Sequence, residues 1–421
     1  MLSAMFRVPA FLAVSLLALA TPAMAQQPAA PDAAVITAPP TPAPAPVAPP
    51  SPPPALVQVT ALAAPDAFST PARETGLPIT LWRGTSLSVM RAVLPLLAER
   101  PLTPAAQALA RRVLATGAPG PEGAGQDSDL AAGRAAALIM QSDPRGAATI
   151  LARAPGLDRN PDLARVAAES ALLAGQDARA CQVESALTSG RDDIYWVRLR
   201  TYCQAIAGKT AEAQLTFDLT QSQAKDPVFT RLMAAKLAGA GSPGAPSLRN
   251  GLDYALSRNL GLDLSLAKPS PAVAAALAPG APADPSFDPT VLRPELAPFA
   301  LAIASGKAVQ RADIAGPDPK TRALLQSGAL LALALSDQVP ADVLLEIREG
   351  RSLVARDLAL DDASHAREIG ETALLALWTS AEAGLSGLAV GDRARIVHAL
   401  HLVGLDTDAR AFALEGLAGL K

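Results

Sequence analysis

The chain has 421 residues, half of them hydrophobic but only 3% aromatic, and a formal net charge of −3. A balance this mild, with no basic block, argues against a nucleic-acid partner and gives no steering field toward an acidic one. Scarce Trp and Tyr disfavour a carbohydrate or aromatic-ligand pocket, while abundant Ala and Leu favour closely approaching helices.

Residues 1–25 carry one charge, Arg7, then an apolar run from Val8 to Ala20, then Ala23-Met24-Ala25 before Gln26. Charged start, apolar middle and A-x-A end predict a signal peptide cleaved after Ala25, hence a periplasmic or secreted mature chain. The apolar run is shorter than the ~20 residues of a span, and no later run reaches that length, so no transmembrane segment is expected after cleavage. Residues 26–76 follow as a Pro/Ala-rich linker, with ten prolines between Pro39 and Pro54. That composition favours an extended polyproline rod with no core, a disordered leader or spacer.

A helical repeat domain is predicted over 77–241. Leu81-Trp82-Arg83-Gly84-Thr85 leads into a helix capped by Thr85 or Ser86, with Val89, Met90, Val93, Leu94 and Leu97 on one face and Trp82 packed on the first helices. Thr103-Pro104 opens the next helix, and Gly117 with Pro119 ends it. After a loop from Gly120 to Asp129, a helix-turn-helix unit recurs three times before Leu237: SDPRGAATIL from Ser142, AGQDARACQV from Ala174 and AGKTAEAQLT from Ala207. Gly175 and Gly208 mark turns, and the small residues Ala148, Ala180 and Ala213 follow at spacings of 32 and 33. Such a period marks stacked helical hairpins.

The third copy resembles a tetratricopeptide repeat in Gly208, Ala213, Phe217 and Pro227. The resemblance implies an all-α, tetratricopeptide-like solenoid and suggests a concave groove for a peptide. The chain departs from the pattern in lacking Trp-Leu-Gly around Trp196 to Thr201 and in placing Glu184 where a large apolar residue belongs. The block Tyr195-Trp196 with Tyr202 to Gly208 is similar to one in secreted Ala-rich alphaproteobacterial proteins, a likeness that brings no activity with it.

Residues 242–294 read as a Pro/Gly-rich connector with a short helix at Gly251–Asn259. Eight prolines between Lys268 and Pro298 exclude a regular helix or central strand there, and such a segment links domains or drapes over one. A C-terminal helical domain is expected over 295–421, with helices at Glu295–Gly306, Lys320–Leu335, Ala341–Glu349, Asp362–Ala383 and Asp392–Gly419, the last with a turn at Gly404.

Cys181 and Cys203 each lie eleven residues from Asp192, the midpoint of the connection between their helices. In an antiparallel hairpin they stand at equal height, so an oxidising compartment should join them. The alternatives are two buried thiols or a redox pair, and the latter lacks C-x-x-C. His398 and His401 share one side of a helix whose apolar stripe is Ile396, Val397, Leu400 and Val403. That leaves the histidines at the flank or in solvent with no third ligand, and His365 beside Glu368 is no better placed, so no metal is assigned.

No catalytic or cofactor-binding residue is assigned, because G-x-S-x-G is missing and the glycine-rich run Gly117–Gly125 lacks the strand and lysine of a phosphate loop. Ala168-Glu169-Ser170 and Glu184-Ser185 match two letters of the Glu-Ser element of lytic transglycosylases without its context. Asp192-Asp193 and Asp361-Asp362 read as helix caps. The expected function is a periplasmic scaffold or adaptor that contacts another envelope protein through Arg198, Arg200, Gln204 and Gln214. The alternatives are a cell-wall hydrolase built on a helical solenoid and a structural envelope protein with no discrete ligand.

Overall fold

The computed structural model describes residues 66, 68–125, 127–239, 243–278, 287–306, 314, 317–336 and 352–421. Among them every long regular element is an α-helix, and there is no strand. In chain order these are α1 (Leu87–Glu99), α2 (Pro104–Ala115), α3 (Ser128–Met140), α4 (Pro144–Leu151), α5 (Pro161–Leu173), α6 (Asp177–Ala186), α7 (Ile194–Ile206), α8 (Thr210–Gln223) and α9 (Pro227–Ala238). They continue as α10 (Gly251–Asn259), α11 (Pro271–Leu277), α12 (Ala297–Ser305), α13 (Pro319–Leu333), α14 (Val354–His365), α15 (Ile369–Ala383), α16 (Val390–Leu402) and α17 (Asp406–Gly419). The expected signal peptide, residues 26–65 of the expected linker and the helix expected at Ala341–Glu349 lie outside the described residues; residues 68–76, expected to belong to that coreless linker, are instead packed, with Phe68 fully buried in the core. No helix among the described residues is long and apolar enough to cross a membrane.

The hairpins share one turn chemistry. In α3/α4, α5/α6, α7/α8, α14/α15 and α16/α17 the turn residue is left-handed: Ser142 (φ 68°), Gly175 (77°), Gly208 (75°), Arg367 (62°) and Gly404 (78°). The next N–H then reaches back over the end of the first helix to an otherwise orphaned carbonyl: Asp143 to Leu138 at 2.7 Å, Gln176 to Ala171 at 2.8 Å, Lys209 to Gln204 at 2.9 Å, Glu368 to Ala363 at 3.0 Å and Leu405 to Leu400 at 2.9 Å. This pattern closes a helix and starts its antiparallel neighbour. On this register Ala147, fully buried, is the counterpart of Ala180 and Ala213, also fully buried, and Ala148 is its buried neighbour. Phe217 packs beneath α9 on Phe229, with ring centroids 6.3 Å apart.

The single helix expected over Asp362–Ala383 is therefore two. Arg367 breaks it in a conformation that glycine usually supplies, and its guanidinium bonds the Leu402 carbonyl at the end of α16. The cap reading of Asp361-Asp362 falls with it: both lie inside the last turn of α14, where Asp361 accepts from Arg395 at 3.0 Å. Asp193 does cap α7, accepting from the Tyr195 N–H at 2.8 Å.

The described helices belong to one unit, residues 62–421. In it α1 packs on α3 and α15, and α2 on α3, α15 and α17, so the helices before and after the connector touch directly. The block before α1 is the lock. Trp82, 2% exposed, stands edge-on to Phe68 and lies over Gly370 at the start of α15. It thus packs on a C-terminal helix as well as on its own neighbourhood. The Ser86 N–H donates to Glu371 Oε2 at 2.9 Å, and burial, reinforced by the nearby Glu368 charge, raises the Glu371 pKa. Arg134 of α3, fully buried, donates to the carbonyls of Leu114 (2.8 Å) and Thr116 (2.9 Å) and so closes the end of α2. Burial lowers its pKa to about 10, which leaves it charged at neutral pH.

The Pro-rich segment is not free of regular helix as expected: α11 forms between its prolines, with Pro271 in the first turn, where its missing N–H costs nothing, and the Ser270 side chain accepting the Val273 N–H. α10 lies against α5 and α9, α11 against α3, α4 and α5, and the Arg145 guanidinium donates to the Ala276 carbonyl at 3.1 Å. A small core of Leu173, Leu248, Tyr254, Val273 and Ala276 holds this segment down.

Candidate functional site

The largest of the best-formed cavities, about 640 Å³, opens between α2 and α17 beside residues 73–75 and 287–291. It forms where an N-terminal and a C-terminal helix meet, and one carboxyl joins them. Glu415 of α17 accepts the free N–H of Ala105 in the first turn of α2 at 2.7 Å, while its other oxygen takes Arg393 at 2.8 Å. A carboxylate suits that end of a helix, whose first N–H groups lack partners and whose dipole is positive. Arg393 reaches Glu415 by crossing Gly416, where an added Cβ would stand 2.4 Å from its Cδ.

Arg112 of α2 pairs with Asp408 of α17 and donates through Nε to the Thr75 carbonyl at 3.1 Å. Arg112 and Asp408 are thus matched across the cleft. The rest of the lining combines the apolar Ala108, Phe287, Val291, Ala411 and Leu414 with the charged Arg73, Glu74, Asp288 and Arg410. Val291 is 61% exposed, an unusual state for a large apolar side chain beside a concavity. This cleft was not foreseen, since its walls are some three hundred residues apart in sequence.

The cysteines meet as expected: Cys181 and Cys203 are disulfide-bonded, with Cα atoms 5.5 Å apart, across the α6/α7 hairpin. The same hairpin explains Glu184. It is 5% exposed and accepts from Arg191 (3.0 Å) and Arg200 (2.8 Å), so a charge cluster replaces the apolar contact of the repeat pattern. Arg200 is therefore not an exposed specificity residue. Arg198 is also engaged, through the Ala224 carbonyl at 3.1 Å and the Phe229 ring. Gln204 is half-buried, and only Gln214 of the four is exposed.

His398 stands at the flank of its helix. It is half-buried with Nδ1 at 3.2 Å from the Ala334 carbonyl, and burial lowers its pKa, with His401 and His365 adding to the effect. His401 Nδ1 pairs with Asp406 at 2.6 Å and His365 Nδ1 with the Asp361 carbonyl at 2.7 Å. Among the described residues no group of three His, Cys, Asp or Glu side chains is placed to hold a metal.

The glycine-rich run near 117–125 wraps an acid instead of a phosphate. Gly120 N–H donates to Asp66 Oδ2 at 2.8 Å, and a Cβ on Gly117 would stand 2.6 Å from the Pro71 nitrogen. Of the Glu-Ser pairs, Glu169 receives the Gly251 N–H at the start of α10 (2.8 Å), and Ser170 bonds back to the Ala167 carbonyl at 3.0 Å. Comparison with family models, with curated proteins and with solved structures finds no match to this chain.

Proposed function

We propose that this chain is a scaffold or adaptor of the bacterial envelope, a tetratricopeptide-like stack of helical hairpins that holds another envelope protein in the cleft between α2 and α17. One observation carries the reading: across the cleft Arg112 pairs with Asp408, and Glu415 is held by Arg393 from behind, so between the remaining charges at Glu74, Asp288 and Arg410 the wall offers a partner the apolar contact area of Ala108, Phe287, Val291, Ala411 and Leu414. Small side chains at Ala108 and Ala411 let a partner backbone approach closely, and a helical or extended segment with apolar anchors fits such a wall.

The draped connector supports placing the partner here. Along α5, the first helix of the second repeat unit, α10 already occupies much of the face on which a solenoid would take a peptide. The signal-peptide pattern and the Cys181–Cys203 bridge support an oxidising compartment outside the cytoplasm. The test is a photo-crosslinking residue at Ala108 in intact cells, with exposed Ala211 as the comparison site. A discrete envelope protein captured from position 108 and not from 211 is the expected result, and equal or no capture from both overturns the proposal.

A further inference from the structure

A second groove, about 390 Å³, runs between α3, α5 and the draped connector, away from the α2/α17 cleft. Its walls are mostly apolar, with Ile139, Val166 and Leu173 among them, and Glu169 of α5 stands in that wall. One oxygen of Glu169, Oε2, takes the Gly251 N–H at 2.8 Å, and a Cβ on Gly251 would stand 2.5 Å from it. The carboxyl is thus fixed in place by the start of α10.

The cations around it form no direct ion pair with it. Arg249 at the rim pairs with Asp253 at 2.6 Å and Asp226 at 3.0 Å. Arg165 lies over the Tyr195 ring, 4.8 Å from its centroid; it makes no direct ion pair with Glu169, although its charge favours the ionised carboxyl. Glu169 has no salt-bridge partner among the described residues, although it faces an apolar wall where an unpaired carboxylate is costly. Burial raises its pKa against the Gly251 and Tyr195 hydrogen bonds and the Arg165 charge, which favour the ionised form, and the buried Tyr195 hydroxyl beside it is raised well above its ordinary value by burial and then by Glu169.

We propose that this groove binds a primary ammonium carried on a short apolar stem, with the ammonium paired to the Glu169 carboxylate and the stem lying along Ile139, Val166 and Leu173. Glu169 lacks a direct cationic partner, so the complementary charge is positive; the wall beyond it is hydrocarbon, and the space suits a chain of a few methylenes. An acid with an apolar body would meet Glu169 as a like charge, and a neutral alcohol would leave it unpaired.

The experiment is calorimetric titration of the full chain with n-hexylammonium, with 1-hexanol and hexanoate as comparisons. Saturable one-to-one binding of the ammonium is expected, at least tenfold tighter than either comparison, and weakening as acid protonates Glu169. Glu169→Gln keeps an acceptor for the Gly251 N–H and should lower the ammonium affinity at least tenfold with an unchanged circular dichroism spectrum. Ala136→Phe, which fills the groove without touching the carboxyl, should do the same. Tighter binding of N-acetyl-lysine amide than of hexylammonium assigns the ammonium to a lysine side chain, and the reverse order assigns it to a free amine. No binding at millimolar ligand, equal binding of hexanol, or an unchanged affinity in Glu169→Gln overturns the proposal.

Discussion

The Gly370 N–H, in the first turn of α15, donates to the carbonyl of Leu81, 289 positions earlier, at 2.9 Å. That approach needs a residue without a side chain, since a Cβ on Gly370 would stand 2.6 Å from the same carbonyl and from Thr85 Oγ1. Gly370→Ala should therefore destabilise the protein by about 1–3 kcal/mol through overpacking, although alanine favours helix. Gly419→Ala, which meets nothing within 4 Å, is the control and should leave the thermal midpoint unchanged or raise it.

The cystine ties α6 to α7 across a 22-residue separation. Replacing both cysteines by serine should cost about 2–4 kcal/mol in urea unfolding. The unreduced exported protein should show no free thiol, and two after denaturation and reduction.

Glu184 is the common acceptor of Arg191 and Arg200, and both arginines keep partial access to water. Glu184→Ala leaves two neighbouring cations without their carboxylate and a small void, for an expected loss of about 1–3 kcal/mol. A loss no greater than that of an exposed alanine substitution would show that the cluster contributes nothing.

Ser142 holds a left-handed conformation in the first repeat turn, where the next two repeats have glycine. Ser142→Gly removes the Cβ penalty and should stabilise by about 0.5–1 kcal/mol, net of the greater freedom of glycine in the unfolded chain. Its only described side-chain bond, from Gln107 at a long 3.4 Å, is a small loss.

Burial lowers the His398 pKa below its ordinary 6.5 in the folded protein. The unfolded chain then takes up the proton first, so the stability tied to a neutral His398 is fully present above pH 6.5 and declines as pH falls through that value toward the folded pKa. Unfolding free energies at pH 7.5 and 5.0 should differ less in His398→Gln than in the parent protein.

What could be read from the chain followed from local rules. Gly175 and Gly208 announced their turns because glycine is the usual residue for a left-handed helix end, and the cystine followed from equal arm lengths around Asp192. Arg367 adopts the same conformation without that signal, so its hairpin stayed hidden inside what looked like one helix. The α2/α17 cleft was hidden for another reason: Ala105 and Glu415 meet only through tertiary packing, and no periodicity in either segment encodes it. Arg200 was misplaced because it lies on the polar side of its own helix, while Glu184 of the neighbouring helix engages it there.

The lock at the Leu81–Thr85 block sets an order of events. A chain made or exported from its N-terminus presents α1 and α2 long before α15 and α17 exist to cover them. Until the last fifty or so residues arrive, Trp82 lacks its Gly370 seat and the first turn of α2 lacks the carboxyl of Glu415. The apolar faces of the first two helices then stand open to solvent and to neighbouring chains, as incomplete folds with distant partners do. Completion waits on α15 and α17, so a protein cut short before α15 would be open to proteolysis rather than fold as a smaller version of itself.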